Sequence, residues 1–187
     1  MPIVLICGPA RCGKSRLAES LAAASGLPVF YLATGPKPDP EADPEWAERV
    51  RQHRQRRPPT WQTWETGPDL GAELQQLPQP CCALVDSLGG WVAQSLDCSP
   101  GEWDPLAQSF LRALQGCRGK VILVSEEVGW GVVPAYPLGR QFRDRMGELT
   151  QKLAPLADQV FLVAAGFVLD LTRLGIPLAG VNSPELR

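Results

Sequence analysis

One stretch limits this chain more than any other: Gly8-Pro9-Ala10-Arg11-Cys12-Gly13-Lys14-Ser15, a match to Gly-x-x-x-x-Gly-Lys-[Ser/Thr]. An apolar run, 3–7, precedes it and an Ala/Leu/Glu-rich run, 16–24, follows. That context gives the pattern a mechanism. A buried strand ends, the glycines let the backbone turn tightly, and a helix N-terminus points its free N–H groups into the loop. The expected product is a phosphate cradle. Lys14 would reach the β- and γ-phosphates of a nucleotide, and the Ser15 hydroxyl would sit on the Mg²⁺ that bridges them. The alternative, a glycine-rich turn that matches by chance, lacks a reason for the strand before it and the helix after it.

A length of 187 residues suits one compact domain with a sizeable core, expected over 1–175, followed by an irregular tail over 176–187. The 18 basic and 20 acidic side chains nearly cancel, so the global charge asks for neither nucleic acid nor an anionic membrane. A small-molecule partner is expected instead. No apolar run approaches the roughly 20 residues of a membrane span, and the first apolar segment enters the phosphate loop without a charged leader, which reads as a cytoplasmic protein. The six cysteines form no C-x-x-C pair and there is one histidine, so zinc spacing and a disulfide framework are not expected. Most of the cysteines read as small core hydrophobes. Cys12 either replaces a small loop residue or, facing a positive helix end, is open to oxidation.

Along the chain, 29–33 reads as a second buried strand that brings Ala33, Thr34 and Gly35 to the carboxyl edge of the sheet, where ligands of open α/β sheets bind. A proline-rich loop fills 36–44, and a helix is expected over 45–57, stopped by Pro58-Pro59. On it Trp46, Val50 and His53 recur on one face, among five arginines. This is either a solvated basic face or a surface that handles phosphoryl groups. A short strand over 61–65 and a helix over 69–77 follow, then the buried strand 81–86, which closes on Asp86. Asp86 is read as the acid that holds Mg²⁺ beside Ser15; the alternative is an N-cap for a helix beginning near Leu88.

A helix is expected over 104–115 and a buried strand over 120–125, which opens into Glu126-Glu127-Val128-Gly129-Trp130-Gly131. The two glutamates read either as metal or hydroxyl ligands or as a solvated rim. A long helix over 138–156 turns Phe142, Met146, Leu149 and Leu153 inward and Arg140, Arg143 and Arg145 outward. The last core strand is 159–165, with 167–171 as an antiparallel edge. Strands alternating with helices, and a phosphate loop after the first strand, predict an α/β P-loop sandwich with a mostly parallel central sheet and helices on both faces.

Several blocks taken together resemble the bifunctional adenosylcobinamide kinase/adenosylcobinamide-phosphate guanylyltransferase family of cobalamin biosynthesis. They are the 8–15 loop, Tyr31-Leu32-Ala33-Thr34, the run from Arg49 through His53 to Pro58 and on to Trp61-Gln62-Thr63-Trp64-Glu65, Leu84-Val85-Asp86-Ser87-Leu88, the stretch 124–134, and Phe142-Arg143-Asp144. The resemblance covers 3–171 and implies two reactions on one corrinoid. An NTP, ATP or GTP, phosphorylates the aminopropanol hydroxyl of adenosylcobinamide; GTP then donates GMP to that phosphate through a guanylylated histidine, releasing pyrophosphate. The matching residue is His53. The match also implies nucleotide contacts at Ala33, Thr34, Gly35, Gln55, Arg56, Arg57, Pro58, Glu65 and Asp86, Mg²⁺ on Ser15 and Asp86, and a homotrimer. Relatives usually carry Asn at the positions of Glu126 and Thr150, which puts contacts with the corrinoid or a neighbouring subunit in question. A regulatory GTP-binding module and a kinase without guanylyl transfer are the competing expectations; neither needs both Lys14-Ser15 and His53.

Overall fold

The computed structural model describes residues 2–178. Its centre is a seven-stranded sheet built from β1 (Ile3–Gly8), β2 (Val29–Ala33), β3 (Gln62–Glu65), β4 (Cys81–Asp86), β5 (Gly119–Glu126), β6 (Gln159–Ala164) and β7 (Phe167–Asp170). The strand order is β3-β2-β4-β5-β1-β6-β7, parallel throughout except for the β6–β7 pair. The expected mostly parallel sandwich with an antiparallel edge is therefore what forms. Strands β1, β4 and β5 are apolar on both faces, because a parallel sheet is covered on both.

The period of two along β1 separates the two covers. Ile3, Leu5 and Cys7 join the core beneath α3 (Leu70–Gln76), α4 (Leu88–Gln94), α5 (Pro100–Gly116) and α6 (Pro137–Leu153). Val4 and Ile6 join Ala18 and Ala22 of α1 (Lys14–Ala23), together with Tyr31 of β2. The remaining helices are α2 (Pro44–Arg56) and the short α7 (Leu171–Leu174). Alone among the longer helices, α2 buries no residue. Its start is nonetheless well specified: Asp43 accepts from Trp46 N at 2.9 Å and Pro44 takes the first turn, where its missing N–H is no loss.

Three expectations need correction. Helix α5 begins at Pro100, not 104, because Ser99 and Glu102 supply the start signal: Ser99 N donates to Glu102 Oε2 at 2.8 Å. Helix α6 ends at Leu153 and tightens into a 3₁₀ turn over Ala154–Leu156. Arg145 does not face outward: it is buried, donates to Ser95 O at 2.5 Å and Cys98 O at 2.6 Å, and lies 5.1 Å from the Trp103 ring centre. A charge is tolerated there because two carbonyls and an aromatic face replace water. The irregular tail expected over 176–187 falls, from 179 onward, outside the described residues.

Candidate active site

Strand β1 ends at Gly8, whose φ of +155° is open to glycine, and a Cβ there would run into the Val163 carbonyl. The chain then crosses Pro9 to Cys12, and Gly13, with φ of +107°, delivers it into α1 at Lys14. The first turn of α1 holds no acidic side chain, so its positive end is uncompensated and free for an anion. Lys14 is buried and its Nζ donates to Pro9 O at 2.8 Å, which lays the ammonium across the loop.

Ser15 Oγ lies 3.2 Å from Asp86 Oδ1, at the end of β4. The other carboxylate oxygen, Oδ2, accepts from the Tyr31 hydroxyl at 3.1 Å. Burial pushes the Asp86 pKa up, against the Ser15 and Tyr31 hydrogen bonds and the Arg57 and Lys14 charges, which pull it down. Ser87, not Asp86, is the N-cap residue of α4, so the capping alternative for Asp86 is removed. A half-buried carboxylate beside a loop serine suits Mg²⁺, a hard cation that needs only one or two protein oxygens and takes the rest from phosphates and water.

His53 is half-buried in the last turn of α2, with Nδ1 3.2 Å from Arg56 Nη2. The guanidinium can only donate, so the imidazole accepts there. Burial, then the charges of Arg56, Arg49 and Arg57, depress its pKa to about 4. The ring is therefore uncharged at neutral pH, with its proton on Nε2 and its one lone pair on Nδ1, facing Arg56. Arg57 ties this turn to the phosphate site. Its guanidinium lies 3.7 Å from the centre of the Tyr31 ring, and its Nε donates to His53 O at 3.1 Å. A continuous path thus runs from Ser15 through Asp86, Tyr31 and Arg57 to the backbone of His53.

A phosphate loop, an acid beside its serine and a histidine among arginines suit a protein that handles nucleotides, and comparison with known proteins narrows the class. A family model described as cobinamide kinase / cobinamide phosphate guanyltransferase matches residues 4–171. The bifunctional adenosylcobalamin biosynthesis protein CobP of Pseudomonas aeruginosa is 41% identical over 169 residues, covering 89% of this chain and 95% of its own. The chain belongs to the cobinamide kinase / cobinamide phosphate guanyltransferase family. Two further relatives are named bifunctional adenosylcobalamin biosynthesis protein CobU: that of Escherichia coli K12 is 38% identical over 179 residues and that of Salmonella typhimurium 35% over 185, each match covering 88% of this chain and 96% of the relative. Among solved structures, flagellar accessory protein FlaH from Methanocaldococcus jannaschii has a TM-score of 0.48 at 13% identity, covering 89% of this chain and 74% of its own. The RadB recombinase has 0.46 at 15%, covering 86% and 73%. As a family member the chain is a bifunctional cobinamide kinase and guanyltransferase of adenosylcobalamin biosynthesis.

In this kinase/guanyltransferase chain the strand order brings most of the expected site residues to one edge. Ala33 is in register with Glu65, and Gly8 with Glu126. Thr34 is fully buried; its hydroxyl accepts from Ser87 N at 3.1 Å and donates to Ser87 O, clasping the ends of β2 and β4 together. Gly35 is flat under Trp46: a Cβ there would stand 2.6 Å from the indole, whose Nε1 donates to Pro36 O at 3.0 Å. Glu65 accepts from Arg54 Nη2 at 2.9 Å and lies 3.8 Å from Lys37. Arg56 reaches Glu19 of α1 at 3.5 Å. Gln55 instead lines a groove on α2 with Pro38, Pro40 and Val50, and Pro58 is exposed in the loop before β3. Glu126 is half-buried rather than solvated, and its Oε2 accepts from Gly89 N at 3.0 Å. Thr150, the other departure from relatives, meets Ser125 at 2.8 Å between the hydroxyls. Among the described residues no group of three or more His, Cys, Asp or Glu side chains gathers as for a metal.

Sequence reasoning passed over Tyr31 as a strand residue. A signal was present: a tyrosine in an otherwise apolar, fully covered strand must find a partner for its hydroxyl. Its strand neighbour across β2 and β4 is Leu84, so the partner had to be at a strand end, where Asp86 is.

Proposed function

We propose that the enzyme acts on the adenosyl form of the corrinoid and that its guanylyl step runs through His53. In the first reaction the aminopropanol hydroxyl of adenosylcobinamide attacks the γ-phosphorus of ATP or GTP. The new O–P bond forms as the bond to the β-phosphate oxygen breaks, the nucleoside diphosphate leaves, and the hydroxyl proton passes to water. Lys14 and the N–H groups at the start of α1 neutralise the transferring phosphoryl group. Ser15 and Asp86 would hold Mg²⁺, which would supply positive charge to offset that of the phosphates.

In the second reaction a neutral imidazole nitrogen of His53 attacks the α-phosphorus of GTP, pyrophosphate leaves, and a phosphoramidate carries GMP. A phosphate oxygen of adenosylcobinamide phosphate then displaces the imidazole, giving adenosylcobinamide-GDP and returning the histidine. The single observation that supports this reading is the state of His53, held uncharged among Arg49, Arg56 and Arg57 and joined through Arg57 and Tyr31 to Asp86. Arginines that depress the imidazole pKa also neutralise the phosphates it attacks. Ala33, Thr34, Gly35, Gln55 to Pro58, Glu65 and Asp86 are proposed nucleotide contacts, either carboxylate being suited to guanine N1–H and N2–H₂. We further propose that 1–175 acts as one catalytic domain in the cytoplasm and assembles as a homotrimer.

The test is incubation with Mg²⁺ and GTP labelled at the α-phosphate, beside His53→Ala. An acid-labile, base-stable label that is lost in the variant supports the reading. Unlabelled wild type with GTP binding intact leaves a kinase without covalent guanylyl transfer.

A further inference from the structure

The two faces of the sheet flank the phosphate loop differently. On the α1 face stand Tyr31, Arg57 and His53, the parts assigned to guanylyl transfer. On the opposite face, between the sheet and α6, lies a cleft of about 370 Å³ to which the second reaction gives no work. Its floor is apolar, from Leu5, Val160 and Leu162, and it reaches Cys7, the residue before Gly8. Glu127 is on its wall, and the backbone N–H of Glu127 donates to Gly8 O at 2.9 Å, so the cleft abuts the start of the phosphate loop.

The α6 wall carries Arg143, Gly147, Thr150 and Gln151, spaced as one helical stripe beside the core stripe of Met146, Leu149 and Leu153, with Ala154 of the following 3₁₀ turn at its end. Gly147 is the informative member. A glycine inside a helix costs about 1 kcal/mol relative to alanine. Such a glycine is usually explained by a neighbour too close for a side chain, as Trp46 is for Gly35. A Cβ on Gly147 would meet nothing within 4 Å. The space above it is open protein surface inside the cleft, so any larger side chain would project into that space. The volume is in the range of small-ligand sites. It admits a slender arm bearing amide and hydroxyl groups, not a macrocycle. Trp130 stands at the mouth, 63% exposed, and the loop continues through exposed Val132, Val133 and Tyr136, an apolar shelf outside the cleft.

We infer that this cleft is the acceptor site of the phosphoryl step: it takes the hydroxyl-bearing amide arm of the corrinoid and directs it at the γ-phosphate, with the macrocycle on the Trp130 shelf. This rests on the kinase reading above. The amphipathic lining fits such an arm, with carbon chain against Val160 and Leu162 and polar groups facing Glu127, Arg143 and Thr150.

The experiment is steady-state phosphorylation of cobinamide by wild type, Gly147→Ala and Gly147→Leu, with GTP binding and thermal midpoint measured on each. Leucine fills the cleft, whereas alanine only improves the helix. The expected result is an acceptor KM raised tenfold or more in Gly147→Leu, with GTP binding unchanged and a thermal midpoint no lower than wild type, while Gly147→Ala stays within about threefold of wild type. An unchanged KM in Gly147→Leu overturns the assignment, as does a KM change that accompanies a change of oligomeric state, which would make the cleft a contact between copies. Should Gly147→Leu fail to fold, Trp130→Ala reads the shelf: a raised KM for cobinamide supports the site, and an unaltered one overturns it. If wild type phosphorylates no cobinamide at all, it is the kinase reading that fails, and the cleft goes with it.

Discussion

The phosphate site and the histidine helix are both needed for the proposed chemistry, yet they are held by different forces. Lys14 and Asp86 are set on elements whose apolar sides are fully covered: the strand ends β1 and β4 and the start of α1. Core burial of this kind contributes roughly 1.5–3 kcal/mol for each large apolar side chain, which makes the loop geometry hard to perturb. Helix α2 has no fully buried residue and is held at two ends, by Trp46 on Gly35 and by Arg57 on Tyr31, with the Arg54–Glu65 and Arg56–Glu19 pairs beside them. Exposed ion pairs each contribute about 0–1 kcal/mol. The difference teaches that the candidate phosphate site is built into the core, whereas the proposed nucleophile is positioned by a few surface contacts, of which the Arg57–Tyr31 stack is the one that reaches Asp86.

The contrast can be broken or sharpened in five ways. His53→Ala has the largest expected effect, loss of covalent guanylylation by at least about 10³-fold with the nucleotide still bound, since no other histidine exists to replace it. Residual label at wild-type rate in that variant would move the nucleophile elsewhere. Lys14→Ala is expected to slow both transfers by about 10²–10³-fold, because the same ammonium serves either phosphate chain; slowing of one reaction alone would mean that the two use separate pockets.

A pH profile of guanylylation comes next. An imidazole of ordinary pKa would be about 97% protonated at pH 5, a loss of about thirtyfold in the neutral form. With the His53 pKa near 4, the acid limb of the free-enzyme profile belongs near pH 4, and activity at pH 5 should stay close to its plateau. The same shift has a stability consequence. Because the folded pKa is below the unfolded one, the unfolded chain binds the extra proton between about pH 6.5 and 4, so His53 makes the fold less stable as pH falls through that window and contributes nothing above it. An acid limb at 6.5 would show that the arginines do not act on the ring.

Tyr31→Phe keeps the ring under Arg57 and removes only the hydrogen bond to Asp86. A hydrogen bond to a charged group contributes about 1.5 kcal/mol or more, so guanylylation should fall about tenfold, with a higher Mg²⁺ requirement, while Tyr31→Leu, which also removes the stack, should fall further. Equal effects in the two variants would deny the stack any role. The smallest effect is expected for Glu19→Gln, which removes the surface pair to Arg56; twofold or less is predicted, and it should vanish in high salt.

The primary sequence alone determined the layers and the phosphate loop. Unbroken apolar runs such as Val4 to Cys7 and Val121 to Val124 can only be strands covered on both faces, and a Gly-Lys-Ser turn between strand and helix leaves one use for its free N–H groups. His53 also stood out, as a lone histidine among arginines. What it could do was not legible locally, since its pKa depends on Arg56 and Arg57 closing around it and on burial that only the folded α2 provides. Only the tertiary structure decided that Tyr31 and Arg57 join Ser15 to the His53 turn, that Arg145 is inside, and that Gly147 overlooks open space. The reason is physical: hydrophobic periodicity is written into each element by its neighbours a few residues away, but hydrogen bonds, stacking and clefts are made between side chains tens of residues apart.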